Sequence, residues 1–224
     1  MLAGLGRGPR RPAHPQAPRC CPRPARLVPL CFAAVITRRL RTGFQLSLLL
    51  VGVAWVQELV DQLLFGGRWN LPMLPAAAGG SLLGVFTAPF SHGGFGHLLS
   101  NTLLFLPLSW LVLAKGRRDY LAVWIGVYAT AIPVWLLWPN GSHGLSGVVY
   151  GLLGYLMVIG FLEKHPLSLL LSVFCLVTWG GILPSLLPFA SPPGVSWIGH
   201  VAGFAGGVLA AFAIHRDPAG RPAR

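Results

Sequence analysis

The sequence predicts an all-α, polytopic membrane protein with six transmembrane helices. Two observations carry this reading. The chain is 54% hydrophobic and only 10% charged over its 224 residues, whereas an ordinary soluble domain is about 25% charged. The charges it does have fall between apolar runs, and each run approaches the roughly 20 residues that cross a bilayer.

The elements follow in order. Residues 1–26 are rich in Pro, Arg and Ala and show little apolar periodicity. They read as a basic cytosolic tail without a packed structure, with an organellar transit peptide or a start codon assigned too early as alternatives. Leu27–Ile36 is apolar but too short to span, and is expected to lie at the interface. Spans are then predicted at about Phe44 to Val60, His97 to Leu113, Leu121 to Leu137, Ser146 to Leu162, Pro166 to Leu183 and Trp197 to Ile214. The expected organisation is a basic N-terminal tail (1–43), a six-helix membrane domain (44–214) and a short cytosolic C-terminal tail (215–224).

The charges test this map independently. The net charge is +12, a value that alone would suit a nucleic-acid binder, but the placement argues for membrane topology instead. Six spans put both termini on one side. The tail, the 114–120 and 163–165 loops and the C-terminus then share that side and hold sixteen of the seventeen Lys and Arg residues, leaving only Arg68 opposite. Positive residues mark the cytosolic face, so both termini are expected in the cytosol. The four cysteines, Cys20, Cys21, Cys31 and Cys175, suggest neither a disulfide framework nor a zinc motif.

On this map the reactive residues gather at the outer side. Ser146 lies in Gly144-Leu145-Ser146-Gly147, where a span begins. Flanking glycines allow close approach of a substrate, and a helix N-terminus offers free N–H groups to an oxyanion. Taken alone, the segment reads more simply as a serine cap. His200 sits about one turn into the last span, where ionisable residues are rare and usually functional. Gly199, Gly203 and Gly207 recur at four-residue spacing, as do Gly147 and Gly151. That spacing permits close helix packing, and so can bring His200 within hydrogen-bond reach of Ser146. Packing alone is the plainer explanation of these glycines.

His97 and Asn101, four apart, share a helix face behind His92. Both can donate to an oxyanion; a metal site or interhelical contacts are the alternatives. Tyr150 is one turn from Ser146, placed to stack on His200 or simply to pack. The five acids are Glu58, Asp61, Asp119, Glu163 and Asp217. None is placed as a third triad member, so the residues permit a Ser-His dyad.

Together these segments resemble the rhomboid family of intramembrane serine proteases over roughly residues 44–214. Gly144–Gly147 looks like the family's GxSG motif, His200 with Gly203 and Gly207 like its HxxGxxxG motif, and His92, His97 and Asn101 like its HxxxxHxxxN segment. Tyr150 matches the aromatic neighbour of the base. The resemblance implies a Ser146–His200 dyad and an oxyanion hole from the Ser146 amide, His97 and Asn101. Gly144, Gly147, Tyr150, His92, Gly203 and Gly207 would support it. It implies no cofactor and no metal. The expected partners are the lipid bilayer and transmembrane protein substrates, cut near their outer end, with the fifth span as gate by family analogy. The expected location is a bacterial inner membrane. Two departures stand out: Gly199 where the family commonly has Ala, and no Trp-Arg pair shortly before His92, the nearest analogue being Arg68-Trp69 upstream. The competing readings are a catalytically silent relative that binds membrane proteins and a zinc-dependent membrane hydrolase using His92, His97, His143 and His200.

Overall fold

A computed structural model describes residues 27–192 and 194–216, with side chains from residue 41 to 215. The tails at 1–26 and 217–224, with Cys20 and Cys21, lie outside the described residues, as does the Cys31 side chain.

Among the described residues the secondary structure is helical, apart from one isolated antiparallel bridge between Met73 and Ser142. Helix α1 runs Leu27–Leu64, α2 is the short helix Leu83–Thr87, α3 runs Phe95–Lys115, α4 Arg117–Leu137, α5 Ser146–Glu163, α6 Pro166–Trp179 and α7 Trp197–Arg216. Six helical stretches have the length and apolarity to cross a membrane, the first of them Arg41–Leu64. The 27–36 segment, expected at the interface, is helical and lies within α1, Leu27–Leu64. No Gly or Pro between Ile36 and Gly43 interrupts it, and the basic residues Arg38, Arg39 and Arg41 have good helix propensity.

Chain reversals fall where the sequence supplies breakers. α1 ends before Gly66 and Gly67, both at positive φ. The Asp61 carbonyl accepts from Phe65 and Gly67 N–H, and its carboxylate accepts from Trp69 N–H at 2.5 Å. Gly116 alone separates α3 from α4. α6 stops as an α-helix at Trp179, and residues 180–186 tighten into a 3-10 helix. The pair Gly180-Gly181 and Pro184 account for this change. The expected fifth span therefore keeps its place but changes its winding near the site.

α5 is the central element. Its buried residues include Val148, Val149, Leu152, Leu153, Tyr155, Leu156 and Ile159, on all sides of the helix, which marks a helix enclosed by others. Lipid tails are as apolar as leucine, so helix association here depends on close packing and interhelical hydrogen bonds. Both are present. A Cβ added to Gly203 would lie 2.0 Å from the Gly147 carbonyl oxygen, and one on Gly207 1.8 Å from that of Gly151. α7 thus meets α5 backbone to backbone. Thr130 of α4 donates to the Ala202 carbonyl of α7 at 2.7 Å. Ser172 of α6 donates to the Leu156 carbonyl at 2.6 Å and accepts from Gly160 N–H at 3.0 Å. Trp110 and Trp55 tie α3 to α1 through Ser47 and Thr102. At the end away from Ser146, Lys115 and Glu163 form a 2.9 Å ion pair.

Candidate active site

The nucleophile candidate stands at the first residue of α5 and the base candidate in the first turn of α7. The glycine seam between the helices brings His200 Nε2 to 3.1 Å from Ser146 Oγ. The Tyr150 ring lies on the imidazole with centroids 4.3 Å apart and planes 26° apart. Its hydroxyl donates to the Ile182 carbonyl at 2.8 Å and bonds to the Ser185 hydroxyl. On its far side His200 presents Nδ1 to the Ser185 carbonyl at 3.3 Å.

The approach to Ser146 is tied down just as firmly. Gly144 has φ +103°, in the region that L side chains rarely adopt. Its N–H donates to the Ala88 carbonyl at 2.8 Å. A Cβ there would lie 2.9 Å from His97 Cε1 and 3.4 Å from Asn101 Nδ2. His97 and Asn101, one turn apart on α3, therefore border the segment that leads into the serine. Asn101 is buried, and its amide nitrogen has no hydrogen-bond partner. A buried free donor of this kind is uncommon in a folded protein and calls for an explanation.

His92 is fully buried and its Nε2 accepts from Leu145 N–H at 3.2 Å. An imidazole nitrogen that accepts carries no proton, so the ring is neutral. Burial, then the neighbouring His97, pushes its pKa down to about 3. His143, in the loop before α5, is also pushed down by burial. The rings of His92 and His97 are 5.1 Å apart edge-to-face, and those of His97 and His143 5.9 Å. Among the described residues, no three His, Cys, Asp or Glu side chains converge on a metal position. A cavity of about 50 Å³, lined by Met73, His143, Gly144, Gly147 and Gly199 among others, lies beside the segment.

The structure thus brings Ser146, His200, Tyr150, Gly144, His97 and Asn101 together, with His92 behind Leu145 and with Gly147, Gly203 and Gly207 in the helix seam. Ser185 escaped the sequence reading. It meets His200 through its carbonyl, which leaves no side-chain signature, and the trace in the sequence is the Gly180-Gly181 and Pro184 break that turns it toward α7.

A six-span helical bundle with a serine, a histidine and an unpaired amide at one end defines a polytopic membrane protein with a buried polar site. The model of the Rhomboid domain matches residues 79–217, and the chain belongs to the rhomboid family. An uncharacterized protein of Mycobacterium tuberculosis is 32% identical over 178 residues, covering 72% of this chain and 71% of the relative. An uncharacterized protein of Mycobacterium leprae is 31% identical over 192 residues, covering 78% and 73%.

Proposed function

We propose that this protein is an intramembrane serine endopeptidase that cleaves transmembrane helices of membrane protein substrates through a Ser146–His200 dyad. The observation that carries the reading is the 3.1 Å approach of His200 Nε2 to Ser146 Oγ, within the reach a general base needs. His200 takes the serine proton as Oγ attacks a backbone carbonyl of the substrate. The tetrahedral oxyanion is received by the Ser146 N–H, His97 and Asn101, whose unpartnered amide nitrogen supplies a donor with no competing bond. His200 then protonates the leaving amine, and water hydrolyses the acyl-enzyme. Gly144 leaves room beside His97, Tyr150 holds the imidazole plane, and Gly203 and Gly207 set the distance between the two helices.

The catalytic unit in this reading is residues 44–214, between cytosolic tails at 1–43 and 215–224. The distribution of Lys and Arg supports cytosolic termini and an outward-facing site. The mycobacterial relatives support a bacterial inner membrane.

The test is cleavage of a tagged transmembrane substrate in liposomes by wild type, Ser146→Ala and His200→Ala. A shorter product from the wild type alone, insensitive to chelators, supports the dyad. Equal cleavage by all three refutes it. An intact substrate in every case points to a silent, binding relative.

A further inference from the structure

A histidine base needs more than a nucleophile beside it. To accept a proton at Nε2 it must carry its other proton on Nδ1, and its ring must be held in plane; in a triad a carboxylate does both. The partners of the His200 ring nitrogens are Ser146 Oγ and the Ser185 carbonyl. A carbonyl oxygen can only accept. Nδ1 is therefore the donor, and Nε2 turns an unprotonated lone pair toward Ser146.

The Ser185 carbonyl is itself anchored. The hydroxyl of Ser191 donates to the same oxygen at 2.7 Å, so the two lone pairs of that oxygen serve Ser191 and His200. The segment between them is closed by turns, with Leu187 N–H donating to the Pro184 carbonyl at 2.9 Å and Ala190 N–H to the Leu187 carbonyl at 3.1 Å. Beneath the turn, the Ser185 hydroxyl donates to the Tyr150 hydroxyl, which in turn donates to the Ile182 carbonyl at 2.8 Å. The ring that stacks on His200 and the carbonyl that bonds it are thus fastened to one short stretch of chain.

We propose that Ser191 is a positioning residue: by holding the Ser185 carbonyl, it fixes His200 in the Nδ1-protonated tautomer, and the 185–191 turn takes the place of the third triad member. The proposal rests on the dyad reading above. When Nε2 takes the serine proton the ring becomes a cation, and the Nδ1–H bond to Ser185 strengthens. An interaction that grows on the way to the transition state acts on kcat and leaves KM alone.

The experiment uses the full chain in detergent and compares wild type with Ser191→Ala and Ser191→Thr. Two readouts are taken: kcat and KM on a transmembrane substrate, and nitrogen NMR of isotope-labelled histidine rings, with His200 assigned from its missing signals in His200→Gln. The expected result is a kcat lowered about fivefold in Ser191→Ala, the worth of one hydrogen bond, with KM unchanged and activity restored by Ser191→Thr. The wild-type His200 signals should show a protonated Nδ1 and a bare Nε2, giving way to mixed tautomers in Ser191→Ala. A wild-type kcat in Ser191→Ala, a loss confined to KM, or an Nε2-protonated ring in the wild type would each overturn the proposal. If the wild type cleaves nothing, the dyad reading fails, and the ring signals still decide the tautomer.

Discussion

His200 and Tyr150 lie face to face, 4.3 Å between ring centres, although they come from helices that are neighbours only because glycines line the seam between them. Tyr150 has two separable functions there: its ring supports the imidazole, and its hydroxyl ties α5 to the Ile182 carbonyl. Tyr150→Phe keeps the stack and removes the tie. The expected outcome is a loss of about fivefold in kcat, matching one hydrogen bond. Tyr150→Ala removes both and should lose distinctly more. Steady-state cleavage of a transmembrane substrate separates the two.

Asn101→Ala removes a buried donor that has no other partner. Loss of one oxyanion donor typically costs about 100- to 1000-fold in kcat. The expected result is a loss in that range with KM nearly unchanged and thermal stability retained, since the amide nitrogen makes no hydrogen bond in the folded state. A melting curve beside the kinetic measurement checks both halves. If Asn101→Ala cleaves at the wild-type rate, the amide is not a donor to the oxyanion.

Gly207→Ala would put a methyl group 1.8 Å from the Gly151 carbonyl. The helices must separate, so a loss of about 2 kcal/mol or more in stability is expected, in line with overpacking, and activity should fall with it. Gly52→Ala serves as the control, because a Cβ there meets nothing within 4 Å. Thermal unfolding in detergent should rank wild type and Gly52→Ala together, with Gly207→Ala well below.

His92 links pH to folding. Its folded pKa lies near 3, below the ordinary 6.5, so between those values the unfolded chain binds the extra proton. Stability from this residue is complete above about pH 6.5 and declines as pH falls toward 3. His92→Gln retains an acceptor for Leu145 N–H without a titrating ring. Its melting temperature should fall less between pH 7 and pH 4 than that of the wild type.

The parts of this molecule legible in sequence are those with a local cause. Runs of apolar residues mark six spans within a few residues, because a bilayer imposes one length on each. The seam residues Gly203 and Gly207 are legible because a four-residue repeat marks one helix face. His97 and Asn101 are legible by the same rule. What stays hidden is set by the meeting of distant segments. The 3-10 turn at 180–186, which delivers the Ser185 carbonyl to His200, depends on how that turn meets α7. The role of His92 as acceptor for Leu145 N–H depends on a contact across 53 positions, which no spacing rule reports.

Helix α5 has 18 residues, whereas α3 and α4 have 21 each. At 1.5 Å per residue that is about 27 Å against about 32 Å, while the hydrocarbon of a bilayer is about 30 Å thick. The helix that begins with Ser146 therefore has little length to spare in crossing that thickness. Hydrophobic mismatch is normally relieved by tilting, thinning or deforming the surrounding lipid. Here α5 is enclosed by other helices and touches little lipid, so its fit is set by the helices around it. The placement of Ser146 relative to its neighbouring helices is then insulated from the thickness of the host membrane.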